Sequence, residues 1–174
     1  MKMFKRFAAA LLVGVMALAM LTACGERTSK IGKEFEDKYV AALNTLRGEG
    51  AEALKNDEAL REKALGQLSY VKGDGTIAKE NVTVTTVLEK DKSDNPVKIQ
   101  YVMVLSKNDD GVYKATEVTA EALEKINSTM SGSNAQNTQK VAKAIQKFGV
   151  ATKVVNGKTY AAVAMEVDAS ALKS

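Results

Sequence analysis

Val97-Lys98-Ile99-Gln100-Tyr101-Val102-Met103-Val104-Leu105 carries the strongest alternation in this chain, with Val97, Ile99, Tyr101, Met103 and Leu105 on one face. A period of two marks a strand, because successive side chains leave a pleated backbone on opposite sides. Just before it, Val82, Val84, Thr86 and Leu88 alternate with Thr83, Thr85 and Glu89. Lys92 to Pro96 then form a turn that holds the only proline of the chain. Just after it, Asn108-Asp109-Asp110-Gly111 turns the backbone into Val112–Val118. Asn, Asp and Gly accept the positive φ that tight hairpins need. The three segments read as an antiparallel meander.

On the amino-terminal side of this meander the period changes to that of a helix. Ile31, Phe35, Tyr39, Ala42, Leu43 and Leu46 fall on one helical face, and Gly48-Glu49-Gly50 reads as a helix–helix turn. Ala51, Leu54, Leu60, Ala64, Leu65 and Leu68 form a second helical stretch restarting after Asn56 as a cap, and Gly73-Asp74-Gly75 ends it. On the carboxyl-terminal side, Thr119 caps a short helix through Thr129, and Ser131 to Asn137 form a polar break. A further helix places Val141, Ala144, Ile145 and Phe148 on one face and is stopped by Gly149. Val150–Val155 and Lys158–Val167 flank Asn156-Gly157, the sequence of a type I′ hairpin. The expectation is one α+β domain over residues 31–174, in the order ααβββααββ. Its antiparallel sheet has about five strands, with helices packed on it.

The first 25 residues follow a different logic. Lys2, Lys5 and Arg6 precede Phe7–Met20, fourteen residues that are all apolar except for Gly14. That run suits the core of an export signal, whereas a spanning helix needs about 20 apolar residues. Leu21-Thr22-Ala23-Cys24-Gly25 follows and contains the only cysteine. These residues resemble the signal and lipobox of a bacterial prolipoprotein. The resemblance implies that residues 1–23 are a signal peptide and that Cys24 receives a diacylglyceryl thioether. Residues 24–30 would then be the lipidated cysteine and a short tether. It implies lipid anchoring on the extracytoplasmic side of the cell membrane. In a source with two membranes Gly25, lacking the aspartate of inner-membrane retention, points to the outer one. The element order of the rest loosely resembles NTF2-like or cystatin-like shapes, an analogy that fixes no function.

Cleavage after Ala23 leaves 151 residues with 22 basic and 21 acidic side chains, a net of +1. A balanced, extracytoplasmic domain lacks the concentrated basic surface that nucleic acid requires. No second cysteine exists to form a disulfide within the chain, so packing must hold it together. The sequence has no histidine, which removes the usual neutral-pH base and the commonest transition-metal ligand. No cofactor is expected.

Several local patterns resemble sites. Ser106, Asn108, Asp110, Gly111 and Glu117 fall at positions 1, 3, 5, 6 and 12 of an EF-hand calcium loop. Serine at position 1 and strands in place of flanking helices favour a plain hairpin instead. Ser170-Ala-Leu-Lys173, Ser93-Asp94-Asn95 and Lys158-Thr159 echo the motifs of penicillin-binding serine enzymes in the wrong order. Glu34, Glu36 and Asp37 form an acidic group expected on the solvated side of the first helix. Lys140, Lys143, Lys147, Lys153 and Lys158 suggest a basic face toward anionic lipid or wall polymer, but without interleaved aromatics a solvated helix face is the favoured reading. Tyr101, Met103 and Tyr113 would line a concave sheet face if the domain bound a small ligand, and core positions account for them equally well. The leading expectation is a lipid-anchored, non-enzymatic domain that engages an envelope protein or ligand. The alternatives are an accessory module binding a small ligand or wall polymer, and an enzyme using carboxylates or a Ser–Lys pair.

Overall fold

The computed structural model describes residues 29–130 and 135–172. The expected signal peptide, Cys24 and most of the expected tether therefore lie outside the described residues, as do positions 131–134 of the polar break and Lys173. The elements in chain order are α1 (Lys30–Arg47), α2 (Glu58–Gln67), β1 (Thr83–Lys90), β2 (Pro96–Val104), β3 (Ser106–Asp109), β4 (Val112–Ala115), α3 (Ala120–Met130), α4 (Ala135–Ala144), β5 (Ile145–Val155) and β6 (Lys158–Asp168). The fold is α+β. Its main sheet is antiparallel in the order β1-β2-β6-β5, and β3-β4 is a separate two-stranded hairpin.

The third strand of the expected meander therefore leaves the sheet. The physical reason lies in β6, where Tyr160-Ala-Ala-Val-Ala-Met165 is buried without a break. A strand apolar on both sides needs cover on both faces and a central place. It takes the edge of β2 that the meander would have used, with Met103 opposite Val163 and Val102 opposite Ala164. β3 pairs with β4, β4 also bridges to Thr76 through Lys114, and the base of the hairpin is tied to β6 by a Glu117–Tyr160 bridge and by Val118 N donating to Thr159 O at 2.7 Å.

Each face of the sheet carries its own core. On one side, Met103, Val163, Met165 and Val167 pack with Phe35, Tyr39 and Leu43 of α1, Leu123 and Ile126 of α3, and Phe148 of β5. Tyr39 stacks on Phe148 with ring centroids 5.7 Å apart, the offset arrangement aromatic rings favour. On the other side, Leu60, Ala64 and Leu68 meet Val102, Val104, Ala151, Ala162 and Ala164. The small side chains of β5 and β6 let α2 come close. At Gly149 a Cβ would lie 2.4 Å from Arg61 N.

Gly149 consequently has a different role from the expected helix stop. α4 ends at Ala144, and Ile145 and Phe148 belong to β5. The helical spacing of Val141, Ala144, Ile145 and Phe148 spans a junction, because all four side chains meet one core whether the backbone is coiled or extended. The cap of α2 is also one residue later than expected: Asp57 Oδ1 accepts from Leu60 N at 3.0 Å. Thr119 caps α3 as read, accepting from Ala122 N. Asn156 and Gly157 both have positive φ, as a type I′ turn demands.

Candidate functional site

The amino-terminal entry to the domain is fixed by Ser29. Its Oγ caps α1 by accepting from Gly32 N at 3.1 Å and lies 2.9 Å from Thr159 Oγ1 at the start of β6. The β5–β6 hairpin tip is beside it, and Asn156 Nδ2 donates to Gly73 O at 3.1 Å, bringing the 73–75 turn to the same end. From there α1 runs alongside β5 in the opposite direction. At its far end the buried Arg47 donates to Ala142 O and Ile145 O at 2.7 and 2.6 Å.

Glu36 sits midway along that helix and is buried, contrary to the solvated face expected for it; Glu34 and Asp37 are exposed. Glu36 Oε1 accepts from Thr152 N at 2.8 Å, from Thr152 Oγ1 at 2.9 Å and from Arg61 Nη2 at 3.3 Å, and Oε2 accepts from Arg61 Nε at 2.9 Å. A carboxylate offers about four acceptor positions. Three of the four bonds converge on Oε1 and one reaches Oε2, so this cluster joins α1, α2 and β5 and leaves one acceptor position open on Oε2. The bond to Glu36 raises the Arg61 guanidinium further above its ordinary range. The burial of Glu36 was signalled by Gly32 one turn earlier, where a Cβ would meet Thr152 Oγ1 at 2.4 Å.

The two edges of the sheet differ sharply. Along β5, Asp57 N donates to Phe148 O at 2.8 Å, Asn56 pairs through its side chain with both N and O of Val150, and Glu36 accepts from Thr152 N. Side chains thus occupy the positions of a neighbouring strand. Along β1 the only paired strand is β2, and all eight residues are exposed. Val84, Val87 and Leu88 show 40%, 42% and 40% of their surface. Such an edge is a template for another extended chain.

The remaining candidates are dispersed. Asn108 Oδ1 accepts from Gly111 N within the β3–β4 turn, Ser106 is buried on β3, and Glu117 pairs with Lys158 at 3.1 Å. Asp110 and Gly111 have the positive φ of a hairpin turn. Among the described residues no group of three or more Cys, Asp or Glu side chains is placed to hold a metal ion. Ser93-Asp94-Asn95 lies in the β1–β2 turn, whereas Lys158-Thr159 begins β6 at the opposite end of the sheet. Ser170 Oγ is bonded to Asp168. Met103 and Tyr101 belong to the core on the α1 side, but Tyr113 packs with the core on the α2 side, so the three do not line one surface. Lys140 and Lys143 lie on α4, and Lys147 pairs opposite Glu166, away from the end that holds Ser29. Lys153 and Lys158 lie near that end instead.

Comparisons with protein families, curated proteins and solved structures found no match. Among the described residues no helix is long and apolar enough to cross a membrane.

Proposed function

We propose that this chain is a bacterial lipoprotein whose α+β domain is held on the extracytoplasmic side of a membrane by diacylglyceryl-Cys24 and acts there as a non-enzymatic interaction module. The observation that carries the reading is the run from Lys2 through the apolar Phe7–Met20 to Leu21-Thr-Ala-Cys24. Two acyl chains give stable anchoring where one gives only marginal binding. The use of Glu36 to tie Arg61 and Thr152 together, with the lack of histidine, favours binding over catalysis. The open β1 edge, at the other side of the sheet from a β5 edge closed by side chains, favours an extended protein segment as the thing bound.

Expression of the full chain in a bacterium fed radiolabelled palmitate tests the anchor. The expected result is a labelled, membrane-bound protein, with label and membrane retention both lost in Cys24→Ala. Retention and processing of Cys24→Ala as before would overturn the reading. Photo-crosslinking from Val87 and from Lys153 tests the interaction. Capture of one envelope protein from Val87 alone supports it, and equal capture from both positions counts against it.

A further inference from the structure

We propose that the domain stands on the membrane through the end that holds Ser29, the 73–75 turn and the β5–β6 hairpin, leaving the β1–β2 turn pointing away from the lipid; this rests on the lipoprotein reading above. The first ground is reach. Cys24 and Ser29 are five residues apart, and five residues of chain span at most about 18 Å. Ser29 is held against Thr159, so the tether enters at one end of the sheet. From Thr159 to Asp168, which pairs opposite Lys98 near the β1–β2 turn, nine strand steps cover about 30 Å.

The second ground is charge. Around Ser29 and the hairpin lie Lys30, Lys72, Lys153 and Lys158, with Asp74 and Glu117 as the facing carboxylates. The opposite end carries Glu89, Asp91, Asp94, Glu166 and Asp168 against Lys90, Lys92, Lys98 and Lys147. The lysine excess therefore lies where the tether enters, and an anionic lipid surface attracts that end more than the other. Lys140 and Lys143 of α4 and Lys147 lie away from it.

The sole cysteine makes a clean test possible. Once Cys24 is a thioether, a cysteine placed elsewhere is the only thiol. Lys72→Cys and Lys92→Cys, both at exposed positions, are purified from membranes as the full lipidated chain and labelled with a thiol-reactive fluorophore. They are then reconstituted in phosphatidylcholine–phosphatidylglycerol vesicles that contain a headgroup nitroxide lipid. The label at position 72 is expected to lose at least half its emission to the nitroxide, and the label at position 92 to keep nearly all of its own. Equal quenching at both positions, stronger quenching at 92, or none at either would overturn the orientation, provided the protein floats with the vesicles and carries one label per chain. Two labels per chain without flotation would show that Cys24 is free, and the anchor and the orientation would both fall.

Discussion

Asn56 pairs with Val150 through its side chain as a strand would through its backbone, donating from Nδ2 to the carbonyl at 3.0 Å and accepting from the amide at 2.8 Å. With Asp57 N on Phe148 O and Glu36 on Thr152 N, Asn56 closes this sheet edge to another strand. Asn56→Ala leaves both Val150 groups without partners. The expected loss is about 1–3 kcal/mol, measured by urea denaturation, with faster amide exchange at Val150.

Glu36 and Arg61 act as a pair, with side chains 8% and 22% exposed. Glu36→Gln and Arg61→Met, made singly and together, are expected to show a coupling energy of about 1–2 kcal/mol in a double-mutant cycle. Additive effects would show that Thr152 holds Glu36 without help from Arg61.

Gly149 and Gly66 respond in opposite directions to the same added methyl group. A Cβ at Gly149 meets the backbone of Arg61 and Leu60 at 2.4 and 2.5 Å, and backbone cannot move aside as a side chain can. Gly149→Ala is expected to destabilise by about 1–3 kcal/mol. At Gly66, inside α2, nothing lies within 4 Å of the added carbon, and Gly66→Ala is expected to stabilise by about 0.4–1 kcal/mol. Thermal unfolding of the two variants checks both signs.

The β1 edge predicts a solubility effect without a stability effect. Val87→Lys places a charge on the open edge. It is expected to reduce aggregation of the mature domain in light scattering, while its unfolding free energy changes by less than about 1 kcal/mol.

Two carboxylates predict acid behaviour. Bonds from Ser170, above all from its hydroxyl, hold Asp168 below the ordinary carboxylate range, and the Thr76 amide and hydroxyl do the same for Asp74. Because both values are depressed in the folded state, the stability they confer is present above the unfolded value of about 3.9 and is lost as the pH falls through the folded values. Ser170→Ala is expected to raise the Asp168 titration midpoint in carboxyl NMR and to leave that of Asp74 in place.

Much of the fold is legible because local chemistry and tertiary context agree. Asn156-Gly157 and Thr119 do in the structure what their residue types favour anywhere. The errors arise where one pattern serves two backbones. Val141 to Phe148 keeps its apolar spacing across a helix-to-strand junction, since burial selects apolar residues without selecting a conformation. The strand order was hidden for a related reason. Alternation marks β2 as a strand, but Val102 and Val104 are buried on the face it assigns to solvent. The unbroken Tyr160–Met165 run marks β6 as the central strand and was the available signal. The site was less legible: the partners of Glu36 lie 25 and 116 positions away in sequence.

The course of α1 also has a mechanical meaning. It enters the domain beside Thr159 and ends with Arg47 holding the α4–β5 junction, so it lies along β5 for nearly its whole length. If Cys24 anchors the chain as proposed, a drag force enters through Ser29 at the start of this helix. Ser29, Glu36 and Arg47 then take the load together in shear, whereas a tether leaving from β1 would strip an edge strand one bond pair at a time.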